Sequence, residues 1–171
     1  AGVSRVRRIE EIRIHARNDA KRRAFADELR KGGSARIVEC ESVEQAIDGA
    51  DVVGTATASS EPLSSFEHLA PHVHVNCMGG HTALGGREIP RAVLEASRLI
   101  VEDVTAAVEE AGGVHARAMP LGALPGADRG ALRRERTIFS STGHAFLDLI
   151  TVAHVLGAPP HPSPPPKGEG G

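Results

Sequence analysis

The chain has 171 residues, a length that suits one domain and allows a buried core. Its 20 Lys and Arg residues nearly balance its 22 Asp and Glu residues, and it has only four Phe and neither Trp nor Tyr, so nucleic acid and anionic membranes are poor candidates as partners. Two cysteines are too few for a disulfide framework, and no apolar stretch reaches the ~20 residues of a membrane span, so we expect a soluble cytoplasmic α/β domain.

Six short runs rich in β-forming residues alternate with helical patterns. The runs cover residues 11–16, 35–40, 51–58, 72–78, 98–103 and 137–141. Most of the separations between them leave room for a crossover helix and are too long for a hairpin. This alternation predicts βαβ units and a parallel sheet.

The segments between these runs carry helix signals. Residues 19–31 form an apolar stripe that stops at a Gly-Gly pair. Ser42 predicts an N-cap with Gln45 closing a capping box, and Pro90 suits the first position of a later helix. Further helices are predicted over 105–111, within the irregular crossover 113–136, and over 143–156.

The composition changes after Gly157. Residues 158–171 are rich in proline and glycine, which predicts a disordered tail. Binding of this Pro-rich segment by a partner domain is the functional alternative. We therefore expect one partial nucleotide-binding domain over residues 1–157, followed by the tail.

The chain contains no GxGxxG segment, although a dinucleotide-binding fold begins with a strand, a Gly-rich turn and a helix. The first eleven residues resemble a helix end that leads directly into the run at 11–16. We therefore expect an incomplete Rossmann-like, doubly wound parallel sheet of about six strands with flanking helices. In the strand order 3-2-1-4-5-6 the missing strand lies between the second and the fourth, and we expect marginal stability without it.

Several segments together resemble the ornithine cyclodeaminase/mu-crystallin family. They are HVHVNCMGG (72–80), REI (87–89), LIVED (99–103), AAVEEAG (106–112) and TIFSSTGHAFLDL (137–149). The resemblance covers most of residues 5–157 and corresponds to the C-terminal half of such a protein. It implies the NAD(P)-binding half of an oxidoreductase that transfers hydride at a carbon bearing nitrogen, in a cyclic imine or an amino acid. It also implies that full-length relatives are homodimers.

Two segments are candidates for the adenosine side of the cofactor. Arg17, Asn18 and Asp19 follow the first run, where an acid selects the ribose 2′-hydroxyl and an arginine accommodates a 2′-phosphate. Arg17 slightly favours NADP and Asp19 opposes it, while a plain helix N-cap is the structural alternative. By resemblance, the turn of Thr55, Ala56 and Thr57 contacts the adenosine half; otherwise it is simply a Thr-rich strand end.

Two further segments are candidates for the nicotinamide side. The resemblance places the backbone of Asn76, Met78 and Gly79 near the nicotinamide. His81 occupies the position of the family's catalytic Asp, and a histidine can exchange protons near neutral pH. A solvated loop histidine is the structural alternative.

Ser141 and Thr142 follow the last run, where hydroxyl and N–H groups could meet the nicotinamide carboxamide or a substrate carboxylate. Capping of the final helix is a compatible structural role. His72 and His74 share a strand face but lack an obvious third ligand, so no metal site is expected.

Three functions remain open at this point. The chain resembles part of an NAD(P)-dependent cyclodeaminase, imine reductase or amino-acid dehydrogenase; it could also be a non-catalytic crystallin-like binding protein or an inactive truncated remnant. By resemblance, the Lys and Arg that bind the substrate carboxylate belong to the N-terminal half. We therefore expect these 171 residues alone to be inactive.

Overall fold

The computed structural model describes residues 3–33, 35–79, 87–143 and 145–157, without the side chains of 145–147. The strands are β1 Glu11–Ile14, β2 Arg36–Glu39, β3 Val52–Thr55, β4 His74–Cys77, β5 Arg98–Val101, β6 Met119–Pro120 and β7 Thr137–Ser140. The α-helices are α1 Asp19–Gly32, α2 Val43–Ile47, α3 Arg91–Glu95, α4 Val104–Ala111, α5 Arg129–Arg134 and α6 Ala145–Val155. Short 3-10 helices cover Val3–Arg5, Gly113–Arg117 and Leu121–Gly126.

The strands form two parallel sheets. One contains β1 and β2, and the other has the order β3-β4-β7-β5-β6. Within the part of the chain that the structure describes, β1 pairs only with β2, so the break between the sheets falls where a missing strand is predicted. The parallel Rossmann-like fold expected from the sequence is thereby confirmed.

All six predicted strands are confirmed, and the structure adds one short strand to the expected number of about six. The additional strand, β6, pairs Met119 and Pro120 with Ile100 and Val101 at the sheet edge. Two residues are too few to produce an alternating pattern, and proline is tolerated at an edge. The sequence therefore did not predict this strand, which lies within the segment interpreted as an irregular crossover.

The helix starts agree with the predicted caps in two of three cases. The side chain of Asn18 accepts a hydrogen bond from Lys21 N, and that of Ser42 accepts one from Gln45 N. The Gln45 side chain reaches back to the backbone N–H of Glu41 instead of Ser42, so the capping box is not closed as predicted. Pro90 is the N-cap of α3 and not its first helical residue, because its ψ of 142° is extended.

The core lies around the strands of the larger sheet. Its most deeply buried members include Val73, Val75, Cys77, Ile89, Leu94 and Ile138, each with no exposed surface. In α6 and just after it, by contrast, the apolar side chains of Leu149, Val152 and Leu156 are each more than half exposed. No helix in the described ranges is both long and apolar enough to cross a membrane. The predicted tail at 158–171 lies outside those ranges.

Candidate functional site

The carboxyl ends of the three neighbouring strands β3, β4 and β7 lie side by side at one end of the five-stranded sheet. Thr55, at the end of β3, accepts a backbone hydrogen bond from Met78 at 2.9 Å. Cys77, at the end of β4, accepts one from Ser141 at 2.9 Å. Open α/β sheets bind ligands outside such strand ends. We call this site the crevice edge, and it comprises Thr55, Ala56, Thr57, Met78, Gly79, Ser141 and Thr142.

A buried carboxylate connects two of these strand ends. Glu88 has no exposed surface, and its Oε1 accepts a hydrogen bond from the Thr57 backbone N–H. Its Oε2 accepts from Gly79 N at 3.2 Å and from the Cys77 thiol at 3.6 Å. The segments that follow β3 and β4 are therefore held together by one side chain that sequence reasoning had not assigned to the site.

The charge state of Glu88 follows from these contacts. Burial acts to raise the pKa of Glu88, but the hydrogen bonds that the carboxylate accepts, led by those from Thr57, outweigh burial and lower the pKa. The side chain is therefore ionised at neutral pH. A buried charged group is tolerated when its hydrogen bonds are made, as they are here.

Gly79 allows a very close approach between the same two segments. A Cβ atom at this position would lie 2.2 Å from the carbonyl oxygen of Thr57 and 3.3 Å from Glu88 Oε1. The first distance is far below any normal contact, and the obstacle is a backbone atom. Position 79 is thus restricted to glycine by the packing of the crevice edge.

A second carboxylate holds the turn after β7. The Ser141 hydroxyl donates to Glu102 Oε1, and Thr142 N donates to Glu102 Oε2 at 3.4 Å. The predicted donors of Ser141 and Thr142 are therefore engaged by the residue that follows β5. The Thr142 hydroxyl is different, because among the described residues its buried Oγ1 has no hydrogen-bond partner.

A buried histidine contacts the last residue of β7. His115 has no exposed surface; its Nε2 lies 2.9 Å from Ser140 Oγ and its Nδ1 lies 3.1 Å from the carbonyl oxygen of Gly112. Burial lowers the pKa of His115, which favours the neutral ring. We assign the proton to Nδ1, because a carbonyl oxygen can only accept. Sequence reasoning missed this residue as well.

The remaining predicted residues that the structure describes are not part of the crevice edge, although Asn76 adjoins it. Arg17, Asn18 and Asp19 are exposed after β1, and no hydrogen bond between described residues joins them to it. Asn18 caps α1, and Asp19 Oδ1 accepts from Arg22 Nη1 at 2.7 Å. Asn76 is half-buried inside β4, one residue before the strand end.

Two predictions concern histidines. The catalytic role assigned to His81 falls outside the described residues, and it stays a prediction. His74 Nδ1 lies 2.8 Å from Thr137 Oγ1, and His72 Nε2 lies 3.6 Å from Asp51 Oδ1. In the described ranges no group of three or more His, Cys, Asp or Glu side chains could hold a metal ion.

The Cys77 thiol gives a prediction about stability and pH. Burial raises the pKa of Cys77 from 9.0 to about 11, so folding favours the neutral thiol. Its contribution to stability is complete below pH 9.0 and is lost as the pH rises towards 11. From about pH 8 to 10.5, the free energy of unfolding should therefore fall by about 2 kcal/mol more in the wild type than in Cys77→Ala. Urea denaturation of both proteins measures this difference, and parallel pH profiles would disprove it.

The family comparison covers nearly the whole described chain. The model of the ornithine cyclodeaminase/mu-crystallin family matches residues 2–157. The chain belongs to this family. The resemblance inferred from the motifs between His72 and Leu149 is thereby confirmed.

Relatives from this family match the chain over most of its length. Ketimine reductase mu-crystallin of Rattus norvegicus is 30% identical over 145 residues, which are 82% of this chain and 45% of the relative. Delta(1)-pyrroline-2-carboxylate reductase of Bacillus cereus is 28% identical over 170 residues, covering 90% of this chain and 51% of the relative. The chain therefore spans about half the length of the curated relatives that it matches.

A solved structure shares the fold of this chain. Delta(1)-pyrroline-2-carboxylate reductase of Thermococcus litoralis, in complex with NADH and L-proline, superimposes with a TM-score of 0.77 at 25% sequence identity. The match covers 91% of this chain and 54% of that one. The likeness extends over both sheets and not over a single βαβ unit, since so little of this chain is left out.

Proposed function

We propose that this chain is the cofactor-binding part of an NAD(P)-dependent enzyme that transfers hydride at a carbon bearing nitrogen, in a cyclic imine or an amino acid. The crevice edge carries this proposal. It joins the carboxyl ends of β3, β4 and β7 by backbone hydrogen bonds, at the place where open α/β sheets bind nucleotides. Membership of the family supports the reaction class, and the Thermococcus litoralis relative holds NADH together with L-proline.

The residues of the crevice edge fit a nicotinamide cofactor. Gly79 brings the backbone of the β4 end against Thr57 without a side chain. The Thr142 hydroxyl has no hydrogen-bond partner in the described ranges, which suits an amide group at this position. Thr55, Ala56 and Thr57 would hold the adenosine side, and Asn76, Met78 and Gly79 the nicotinamide side.

When bound, the cofactor supplies or accepts the hydride. In the reductive direction the imine carbon receives that hydride and the imine nitrogen receives a proton. We assign the proton to His81, which stands two residues after Gly79 in the sequence and whose type of side chain titrates near neutral pH. Ser141 and Thr142 would orient the carboxamide or a substrate carboxylate, with Glu102 fixing their turn.

NADP is the favoured form of the cofactor. Arg17 is exposed three residues after the end of β1, in the segment where a 2′-phosphate would be bound. Asp19, which would instead accept from a 2′-hydroxyl, already accepts from Arg22 at 2.7 Å. This ion pair leaves the arginine as the residue better placed to select the ribose substituent.

A cofactor titration followed by amide NMR tests the proposal. We expect NADPH and NADH to shift the amide signals of Thr57, Met78, Gly79 and Thr142, with NADPH saturating at the lower concentration. No binding should be measurable at micromolar concentrations of cofactor, because the sequence has no Gly-rich phosphate turn and most of the pyrophosphate contacts of this fold come from that turn. NMR detects millimolar binding that other methods miss.

Adenosine alone and nicotinamide mononucleotide serve as controls. Adenosine should shift only the amide signal of Thr57, and nicotinamide mononucleotide only those of Met78, Gly79 and Thr142. Absence of shifts at millimolar cofactor, or shifts confined to residues outside the crevice edge, would contradict the proposal. Once the N-terminal half of a relative has been joined to the chain, binding without turnover would instead favour a crystallin-like binding protein. The dimer expected from the resemblance stays a prediction.

A further inference from the structure

We propose that Glu88 is a positioning residue for cofactor binding: its carboxylate sets the spacing between the segments after β3 and β4 that the cofactor must enter. This inference rests on the proposed function. Glu88 itself has no exposed surface, so it acts on cofactor binding only through the backbone segments that it holds.

The contacts of the carboxylate are divided between the two segments. One oxygen accepts from the backbone N–H of Thr57, and the other accepts from the backbone N–H of Gly79 and from the Cys77 thiol. Thr57 lies 31 residues from Glu88 in the sequence, and Gly79 lies nine residues from it. The Glu88 side chain thus fixes the relative position of two segments. In the described part of the chain, the regular strand pairing between these segments ends at the hydrogen bond from Met78 N.

The backbone of Glu88 is itself held firmly, which is what a positioning residue requires. Its carbonyl oxygen accepts a hydrogen bond from Leu63 N at 2.9 Å. The next residue, Ile89, is fully buried in the hydrophobic core. The backbone that carries the Glu88 side chain is therefore anchored to the core, and the buried carboxylate offers the two N–H groups an acceptor.

A carboxylate is the group that these donors require. Two backbone N–H groups and a thiol converge on it, and all of them donate to its oxygens. Glutamine has one oxygen and one NH₂ group, so one of the two backbone donors would face another donor. Aspartate keeps both oxygens but is shorter by one methylene group and cannot span both turns. Each substitution should release one of the two turns.

The test compares Glu88→Gln and Glu88→Asp with Glu135→Gln, a charge-matched control. The partner of Glu135 is Arg98, the first residue of β5, which lies at the amino ends of the strands and therefore far from the crevice edge. We expect both Glu88 variants to need about tenfold more NADPH for half-saturation, because fewer molecules hold the competent crevice. Amide hydrogen exchange should accelerate at Thr57 or Gly79 and remain unchanged in the strands β5 and β7. Glu135→Gln should match the wild type in both measurements.

The possible outcomes separate the two claims. If the wild-type chain binds NADPH and the folded Glu88 variants bind it equally well, the role of Glu88 is overturned and the proposed function stands. If the wild type shows no binding, the proposed function fails and this role fails with it. If neither variant folds, the wild type is tested instead. NMR couplings across the hydrogen bonds from the backbone N–H groups of Thr57 and Gly79 to the Glu88 carboxylate should be present, and they should persist when NADPH is added. Absence of these couplings would overturn the inference.

Discussion

Gly79→Ala should destabilise the folded chain by about 3 kcal/mol, the upper part of the range for overpacking a well-packed site. The added methyl group would lie 2.2 Å from the carbonyl oxygen of Thr57. Because that atom belongs to the backbone, no side-chain rotation relieves the overlap, and one of the two strand ends must move. That movement breaks the hydrogen bond from Gly79 N to Glu88 and disturbs the one from Met78 N to Thr55.

Gly54→Ala is the matched control, because Gly54 lies in β3 close to the crevice edge and an added methyl group there would have no heavy atom of the described residues within 4 Å. Its free energy of unfolding should stay within about 0.5 kcal/mol of the wild-type value. Urea denaturation of both variants measures the difference. Equal stabilities for the two variants would show that the close approach at Gly79 does not exist in solution.

Local patterns predicted much of this fold because their causes are local. The six runs of β-forming residues all contain strands, and the caps at Asn18 and Ser42 form with donors three residues away. Such signals depend on side-chain chemistry within one turn or one strand. They do not depend on where the rest of the chain lies.

The strand order could not be predicted in the same way. β7, the last strand in the described ranges, inserts between β4 and β5, where Ile138 pairs with Val75 on one side and with Leu99 on the other. Its apolar pattern shows that it is buried on both faces, but does not select its neighbours. Consecutive strands are often adjacent, and that rule would have placed β4 beside β5.

The supporting residues of the site were missed for a related reason. Glu88 and Glu102 bind partners that are 31 and 39 residues away in the sequence. An acidic residue in a sequence is most often solvated, so neither stood out on its own. The position of Glu102, directly after the apolar run of β5, was the usable signal, since polar residues at the carboxyl end of a parallel strand face the ligand site.

Hydride transfer should appear when this chain is joined to the N-terminal part of a relative. Because the chain spans about half the length of its relatives, we would join the N-terminal part of the Bacillus cereus relative to residues 1–157 of this chain. The fusion should oxidise NADPH or NADH in the presence of Δ1-pyrroline-2-carboxylate, whereas the 171-residue chain alone should not. In this fusion the N-terminal part of the relative supplies the residues that bind the substrate. This chain supplies the crevice edge and His81.

Isotope transfer in this fusion tests the central claim most directly. With NADPH deuterated at both C4 positions, we predict proline that carries deuterium at C2, in amounts equal to the NADPH oxidised. With unlabelled NADPH in D₂O, C2 should carry hydrogen, because C2 receives the hydride of the cofactor and the solvent supplies the proton on nitrogen. A folded fusion that binds NADPH but yields no C2-deuterated proline would contradict hydride transfer at the crevice edge.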